Sequence, residues 1–323
     1  MRHIDIMLGG LPLRMPSITL GTVRFGVEID RESAFALMDQ YAAAGGTWLD
    51  TARVYGPGRL PAGQRLPHFK DSETVIGEWL RSRGIRDRVV IITKGGHRCL
   101  ETEKKRVTPE DIRYDLEHSL QALGLESVDI YFLHEDDETM PVSDIMPVLH
   151  EFVKNGRARG LGASNWRVQR IEEANRYAAA HGLTPFGIGQ VRWSYAVPPD
   201  DRKEHVHMET DPLQYEGFKR LGIPVMAYSS QAKGFFMKTA ELGFDPAGLG
   251  KASGFLSDEN ICRAERVFRI SEAKGISVAT AGFAYLWSRE IPVTALVGCK
   301  SPEQLKSSLN GCDYLPEAGL FSL

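Results

Sequence analysis

Four residues that could move a proton together stand at or just beyond the ends of short apolar runs: Asp50, Tyr55, Lys94 and His134. Asp50 closes Trp48-Leu49-Asp50, which follows the Gly45-Gly46-Thr47 turn and reads as a buried strand. Tyr55 lies on the outgoing loop. The run Val89-Val90-Ile91-Ile92-Thr93-Lys94 ends in lysine, and burying its ammonium unpaired would cost several kcal/mol. Lys94 therefore needs a counter-charge, and Asp50 is the obvious one. A third run, Val128-Asp129-Ile130-Tyr131-Phe132-Leu133-His134, ends in histidine.

This set suits reduction of a carbonyl by hydride, where the developing alkoxide needs a proton at neutral pH. A free tyrosine, with a pKa of roughly 10, donates poorly unless its phenolate is stabilised. A neighbouring ammonium does that, an aspartate keeps the ammonium charged, and an imidazole orients the carbonyl oxygen or joins the relay. The competing reading has Asp50 capping a turn and Tyr55 packing in a core. It leaves the shared strand-end position of all four unexplained.

The elements that must hold these residues alternate along the chain. Helices are expected at 31–44, 71–83, 109–123, 142–155 and 167–181, and strands are expected to end near Asp50, Lys94, His134, Gly162 and Gln190. Further strands are expected at 224–228 and 293–297, and the glycine- and proline-containing stretch 229–258 reads as loop-rich. Alternation of this kind argues for a parallel sheet. Gly9-Gly10 between two short apolar pieces reads as a hairpin ahead of it. No linker or charge block divides the 323 residues, so 1–323 is expected to be a single domain.

Gly46-Thr47-Trp48-Leu49-Asp50-Thr51-Ala52, Thr93-Lys94, Leu133-His134 and Gly160-Leu161-Gly162-Ala163-Ser164-Asn165-Trp166 occur in the order of matching motifs in the aldo-keto reductases, and the chain resembles that family over nearly its whole length. The resemblance implies a (β/α)8 TIM barrel whose floor the N-terminal hairpin closes, with Tyr55 as general acid and Asp50, Lys94 and His134 completing a tetrad. It implies a nicotinamide cofactor against Gly21, Thr22, Val23 and Asp50. Ser164, Asn165 and Gln190 would bond the carboxamide, Tyr228 would stack on the ring, and Ser229 and Gln231 would follow it. Gly298, Cys299, Lys300, Gln304 and Ser308 lie where a loop and helix N-terminus can bind phosphate. Lys300 is placed to meet a 2′-phosphate, which favours NADPH over NADH. Relatives often carry asparagine in place of Ser308, and some carry arginine in place of Gln304.

Substrate contacts are expected from Tyr55, His134, Trp166 and Trp193, with Tyr195 nearby, and from His68 and Phe69. The last two lie in an apparent insertion at 56–71, which also carries Arg59 and Arg65 and delays the family's Glu73, Ile76 and Gly77. No metal site is expected. His205-x-His207, with Glu204, Glu209 and Asp211, reads as a solvated loop. Cys99, Cys262, Cys299 and Cys312 form no CxxC, which fits a reducing cytoplasm.

A net charge of -3 gives no argument for nucleic acid or an anionic membrane, so neither is expected as a partner; a small-molecule carbonyl is, and the oligomeric state stays open. Neither a signal peptide nor a transmembrane stretch is read. Lack of a Gly-x-Gly-x-x-Gly or Walker sequence argues against a Rossmann domain or a nucleotide hydrolase. The alternative function is a cofactor-bound, redox-sensing subunit with little turnover.

Overall fold

The structure, a computed structural model, describes residues 1–56, 71–198, 206–317 and 319–321. It begins with an antiparallel hairpin of β1 (His3–Leu8) and β2 (Leu11–Pro16). The hairpin turns at Gly9 and Gly10, whose φ values of 58° and 93° suit glycine, which has no Cβ to clash.

Eight parallel strands follow: β3 (Ile18–Gly21), β4 (Trp48–Asp50), β5 (Val90–Gly95), β6 (Val128–Leu133), β7 (Ala158–Ser164), β8 (Phe186–Arg192), β9 (Val225–Tyr228) and β10 (Val293–Val297). They close in chain order, with β10 returning to β3, into a TIM barrel. The surrounding helices are α1 (Arg31–Ala43), α2 (Ser72–Arg83), α3 (Pro109–Leu123), α4 (Val142–Lys154), α5 (Val168–His181), α6 (Pro212–Leu221), α7 (Phe235–Leu242), α8 (Pro246–Leu249), α9 (Asp258–Lys274), α10 (Val278–Trp287) and α11 (Pro302–Leu309).

Local chemistry sets many of these boundaries. Asp30, Asp71, Thr108, Ser257, Ser277 and Ser301 each accept a backbone N–H in the first turn of the following helix, whereas Gly84, Gly124, Gly182, Gly222 and Gly275 end helices in the left-handed conformation. Asp71 and Arg167 prove to be caps, so the expected helices at 71–83 and 167–181 begin one residue later.

Two sequence expectations are corrected. The stretch 229–258 is largely helical, holding α7, α8 and a tight turn over 250–255. Gly234 and Gly243 flank α7, and Phe235 and Phe236 bury its inner face, so glycine here punctuates short helices rather than loosening a loop. His207 is also buried rather than solvated, between the buried Val206 and Met208. The backbone of this segment bonds that of Arg192 on both sides (Arg192 N to Val206 O and Met208 N to Arg192 O, 3.1 Å each). Glu204 and His205 lie outside the described residues, among which no three potential ligands cluster into a metal site.

The hairpin closes the barrel floor. Ile6, Leu8 and Met15 pack with Trp48, Ile92, Ile130, Phe132, Ile188 and Met226 in one apolar plug. A Cβ added at Gly160 would meet a Leu8 methyl at 1.9 Å, so that glycine admits the plug. With the floor filled, chemistry is confined to the opposite end.

Candidate active site

Side chains along a barrel strand alternate between inside and outside. Continuing two residues beyond the plug positions Trp48, Ile92, Phe132, Ile188 and Met226 arrives at Asp50, Lys94, His134, Gln190 and Tyr228. One periodicity thus supplies both the apolar plug and the polar layer above it.

Lys94 is fully buried and Asp50 nearly so. Lys94 Nζ donates to Asp50 Oδ2 at 2.7 Å and to the Thr51 carbonyl at 2.8 Å, while Asp50 Oδ1 accepts the Gln190 amide at 2.8 Å. The ammonium lies 5.0 Å from the centre of the Tyr55 ring. Burial alone pulls the Lys94 pKa down, but the charges of Asp50 and Tyr55 and the hydrogen bonds with both outweigh it, and the net direction is up. His134 meets Tyr55 edge-on, with ring centroids 5.7 Å apart. All four residues of the expected tetrad therefore converge at the barrel mouth.

Several supporting residues escaped the sequence reading. Ser72 Oγ donates within a cluster with Thr22 and accepts from Thr51 Oγ1 at 3.0 Å, and its amide bonds the Tyr55 carbonyl at 2.9 Å. This ties α2 to the loop carrying the phenol. His97 meets the His134 ring edge-on at 4.8 Å, and its Nε2 lies 3.3 Å from Glu135, a buried carboxylate also held by Arg98. The only sequence signal for His97 was its place three residues after Lys94.

Glu73, in the first turn of α2, is buried against the outer face of β5 and accepts from Thr93 Oγ1 at 2.5 Å. Burial pushes its carboxyl from the usual 4.5 up to about 7. In this case the folded state holds the proton more tightly than the unfolded chain. Its contribution to stability is therefore fully present below 4.5 and is lost as pH rises through 7, by about 3 kcal/mol in all. Glu73→Gln, shaped like the protonated acid, should flatten that loss. Urea midpoints at pH 5 and pH 8 test this, and an equal pH dependence in both proteins would exclude Glu73 as its source.

The ends of β7 and β9 carry further polar groups beside the tetrad. Asn165 donates to the His134 carbonyl at 3.1 Å and accepts the Tyr228 hydroxyl at 2.8 Å, with Ser164 Oγ 3.3 Å from its amide. Asn165 and Ser229 both hold left-handed backbone (φ 57° and 54°), a strain that clusters at functional sites. A Cβ at Gly21 would lie 3.3 Å from the Val297 carbonyl, and the only atom within 4 Å of one at Gly298 is the Gly21 oxygen at 3.9 Å. The paired ends of β3 and β10 thus carry no side chain at Gly21 or at Gly298. Thr22 is fully buried and donates to the Asp50 carbonyl, with Val23 next in the loop.

Other expected contacts are placed differently. Cys299 is buried against Ser308, and burial pushes its thiol up to about 11. Gln304 Oε1 accepts the Lys300 amide at 2.9 Å, and Gln231 donates to the Ala279 carbonyl at 3.0 Å. Trp166 and Trp193 are 0% and 1% exposed, with their indole N–H groups on the Glu135 carbonyl and Glu209. Tyr195 packs on Tyr285 and Phe321. Of the insertion, residues 57–70, including Arg59, Arg65, His68 and Phe69, lie outside the described residues.

The chain resembles known proteins in the same terms. It is 27% identical to norsolorinic acid reductase stcV of Emericella nidulans, over 92% of this chain and 74% of that one. It is 28% identical to a probable aryl-alcohol dehydrogenase of Saccharomyces cerevisiae, over 87% and 83%. It is also 28% identical to the aldo-keto reductase ausK of Aspergillus calidoustus, over 97% and 79%. The sequence pattern described as the Aldo/keto reductase family matches residues 17–316, and with the barrel and its tetrad in place the chain belongs to that family.

Proposed function

We propose that the chain reduces an aldehyde or ketone to the alcohol with a nicotinamide cofactor, NADPH in preference to NADH, and that Tyr55 is the proton donor. The observation that carries this reading is the Lys94 ammonium, buried between Asp50 and the Tyr55 ring. A reduced nicotinamide supplies the hydride when bound. The residues present fit such a group: amides at Asn165 and Gln190, an aromatic ring at Tyr228, and a cation at Lys300 beside the first turn of α11.

His134 orients the carbonyl oxygen and Tyr55 gives it a proton as negative charge develops. Lys94 favours the phenolate left behind, and Asp50 keeps Lys94 charged and in place. Gln190, fixed on Asp50, couples the acid relay to the nicotinamide pocket. Among the described residues no helix is long and apolar enough to cross a membrane.

The test is a screen of NADPH oxidation across aryl aldehydes, aliphatic aldehydes and oxo-sugars. The aryl alcohol in the yeast relative's name puts aryl aldehydes first. Tight cofactor binding with no turnover on any carbonyl would instead mark a redox-sensing subunit. Lys300→Ala should weaken NADPH by roughly tenfold and leave NADH nearly unchanged, because it removes one charge-assisted contact at an exposed site. Equal weakening of both in a fluorescence titration would remove Lys300 from the 2′-phosphate.

A further inference from the structure

Lys300 already has a partner. Its Nζ lies 3.1 Å from Glu28 Oε2, and the same carboxylate oxygen accepts from Arg24 Nη1. Glu28 and Arg24 belong to the loop between β3 and α1, whereas Lys300 belongs to the loop between β10 and α11. β3 and β10 are neighbours in the barrel, with Leu20 opposite Val297, so the Glu28–Lys300 pair joins the two loops that leave the barrel after Gly21 and Val297. Burial is the largest single influence and raises the Glu28 pKa, but Lys300 and Arg24 together outweigh it and hold the carboxyl below its usual range, so the group is an anion at neutral pH.

We propose that Glu28 is a cofactor-specificity residue, a carboxylate fixed beside Lys300 that opposes a 2′-phosphate and tolerates a 2′-hydroxyl. This deepens the proposed function and rests on its placing of the adenosine ribose at Lys300. A 2′-phosphate bonded to Lys300 would share one ammonium with Glu28, which puts two anionic groups within a few ångströms of each other. Near the surface such repulsion lowers affinity by roughly three- to thirtyfold and weakens with salt. A ribose 2′-hydroxyl carries no charge and can donate to the carboxylate. Lys300 thus attracts the phosphate while Glu28 discounts that attraction, leaving a narrower preference for NADPH than Lys300 alone would produce.

Both side chains are about half exposed, so their ion pair adds little stability and Glu28→Gln should fold normally. The experiment measures equilibrium binding of NADP⁺ and NAD⁺ to the full chain by quenching of tryptophan fluorescence, without turnover. Glu28→Gln should tighten NADP⁺ roughly three- to thirtyfold and change NAD⁺ by less than about twofold, and the gain should shrink at about 0.5 M salt. A gain shared equally by both cofactors, or no gain, overturns the proposal. Lys300→Met is measured alongside. If it weakens NADP⁺ selectively while Glu28→Gln is unselective, the Glu28 inference alone fails. If Lys300→Met is itself unselective, the placing of the ribose at Lys300 fails.

Discussion

Tyr55→Phe should lower carbonyl reduction by roughly a hundred- to ten-thousandfold while leaving cofactor affinity unchanged, since general acid catalysis is typically worth that much. The substitution removes one hydroxyl and keeps the ring, so its edge contact with His134 and its place beside Lys94 remain. No nucleotide contact is proposed for the phenol, which separates a chemical defect from a binding one. The comparison belongs under single-turnover conditions, because product release can mask the chemical step. A variant that kept more than about a third of the wild-type rate there would show that the proton comes from elsewhere, and His134 would be the next donor to test.

The buried polar layer was legible because its energetics are severe. A lysine closing a β-branched run has to be paired, and an aspartate two residues past the plug tryptophan points the same way, so Asp50 and Lys94 could be matched across a long span of chain. The helix expected from Pro109 starts there, capped by Thr108, while the one expected from Asp71 starts a residue later because Asp71 is its cap. The 229–258 stretch was not, because glycine has the same local meaning whether it ends a short helix or opens a loop. Only the burial of Phe235 and Phe236 decides between them, and that is a tertiary fact. Trp166 and Trp193 show the same limit. An aromatic just after a strand can face a mouth or the helical layer, and here the indole N–H groups are satisfied by Glu135 and Glu209 in the packed layer. Glu28, Glu135 and His97 carried no periodic signal, since each earns its place through a partner on another loop.

Asp50→Ala should destabilise the fold by roughly 3–5 kcal/mol as well as abolish turnover, because it leaves a buried ammonium with the neutral Thr51 carbonyl and Tyr55 hydroxyl but without its counter-charge. Lys94→Met should do similar damage by leaving the Asp50 carboxylate with the Gln190 amide but without its counter-charge. The informative protein is the double variant, Asp50→Ala with Lys94→Met. Replacing both charges removes the desolvation of each, and buried pairs exchanged for apolar groups are often neutral or stabilising. The double variant should therefore recover most of the stability lost in either single variant, with a residual loss for the small cavity at position 50. Turnover should not recover, since nothing then favours the Tyr55 phenolate. Urea unfolding of all four proteins closes the cycle, and turnover is measured on the same preparations. If the stability losses of the single variants simply add, the two charges are not coupled, and the 2.7 Å contact does not set the energetics of this layer. If the double variant is stable and inactive, the pair is held in the barrel for its chemistry, against the cost of burying it.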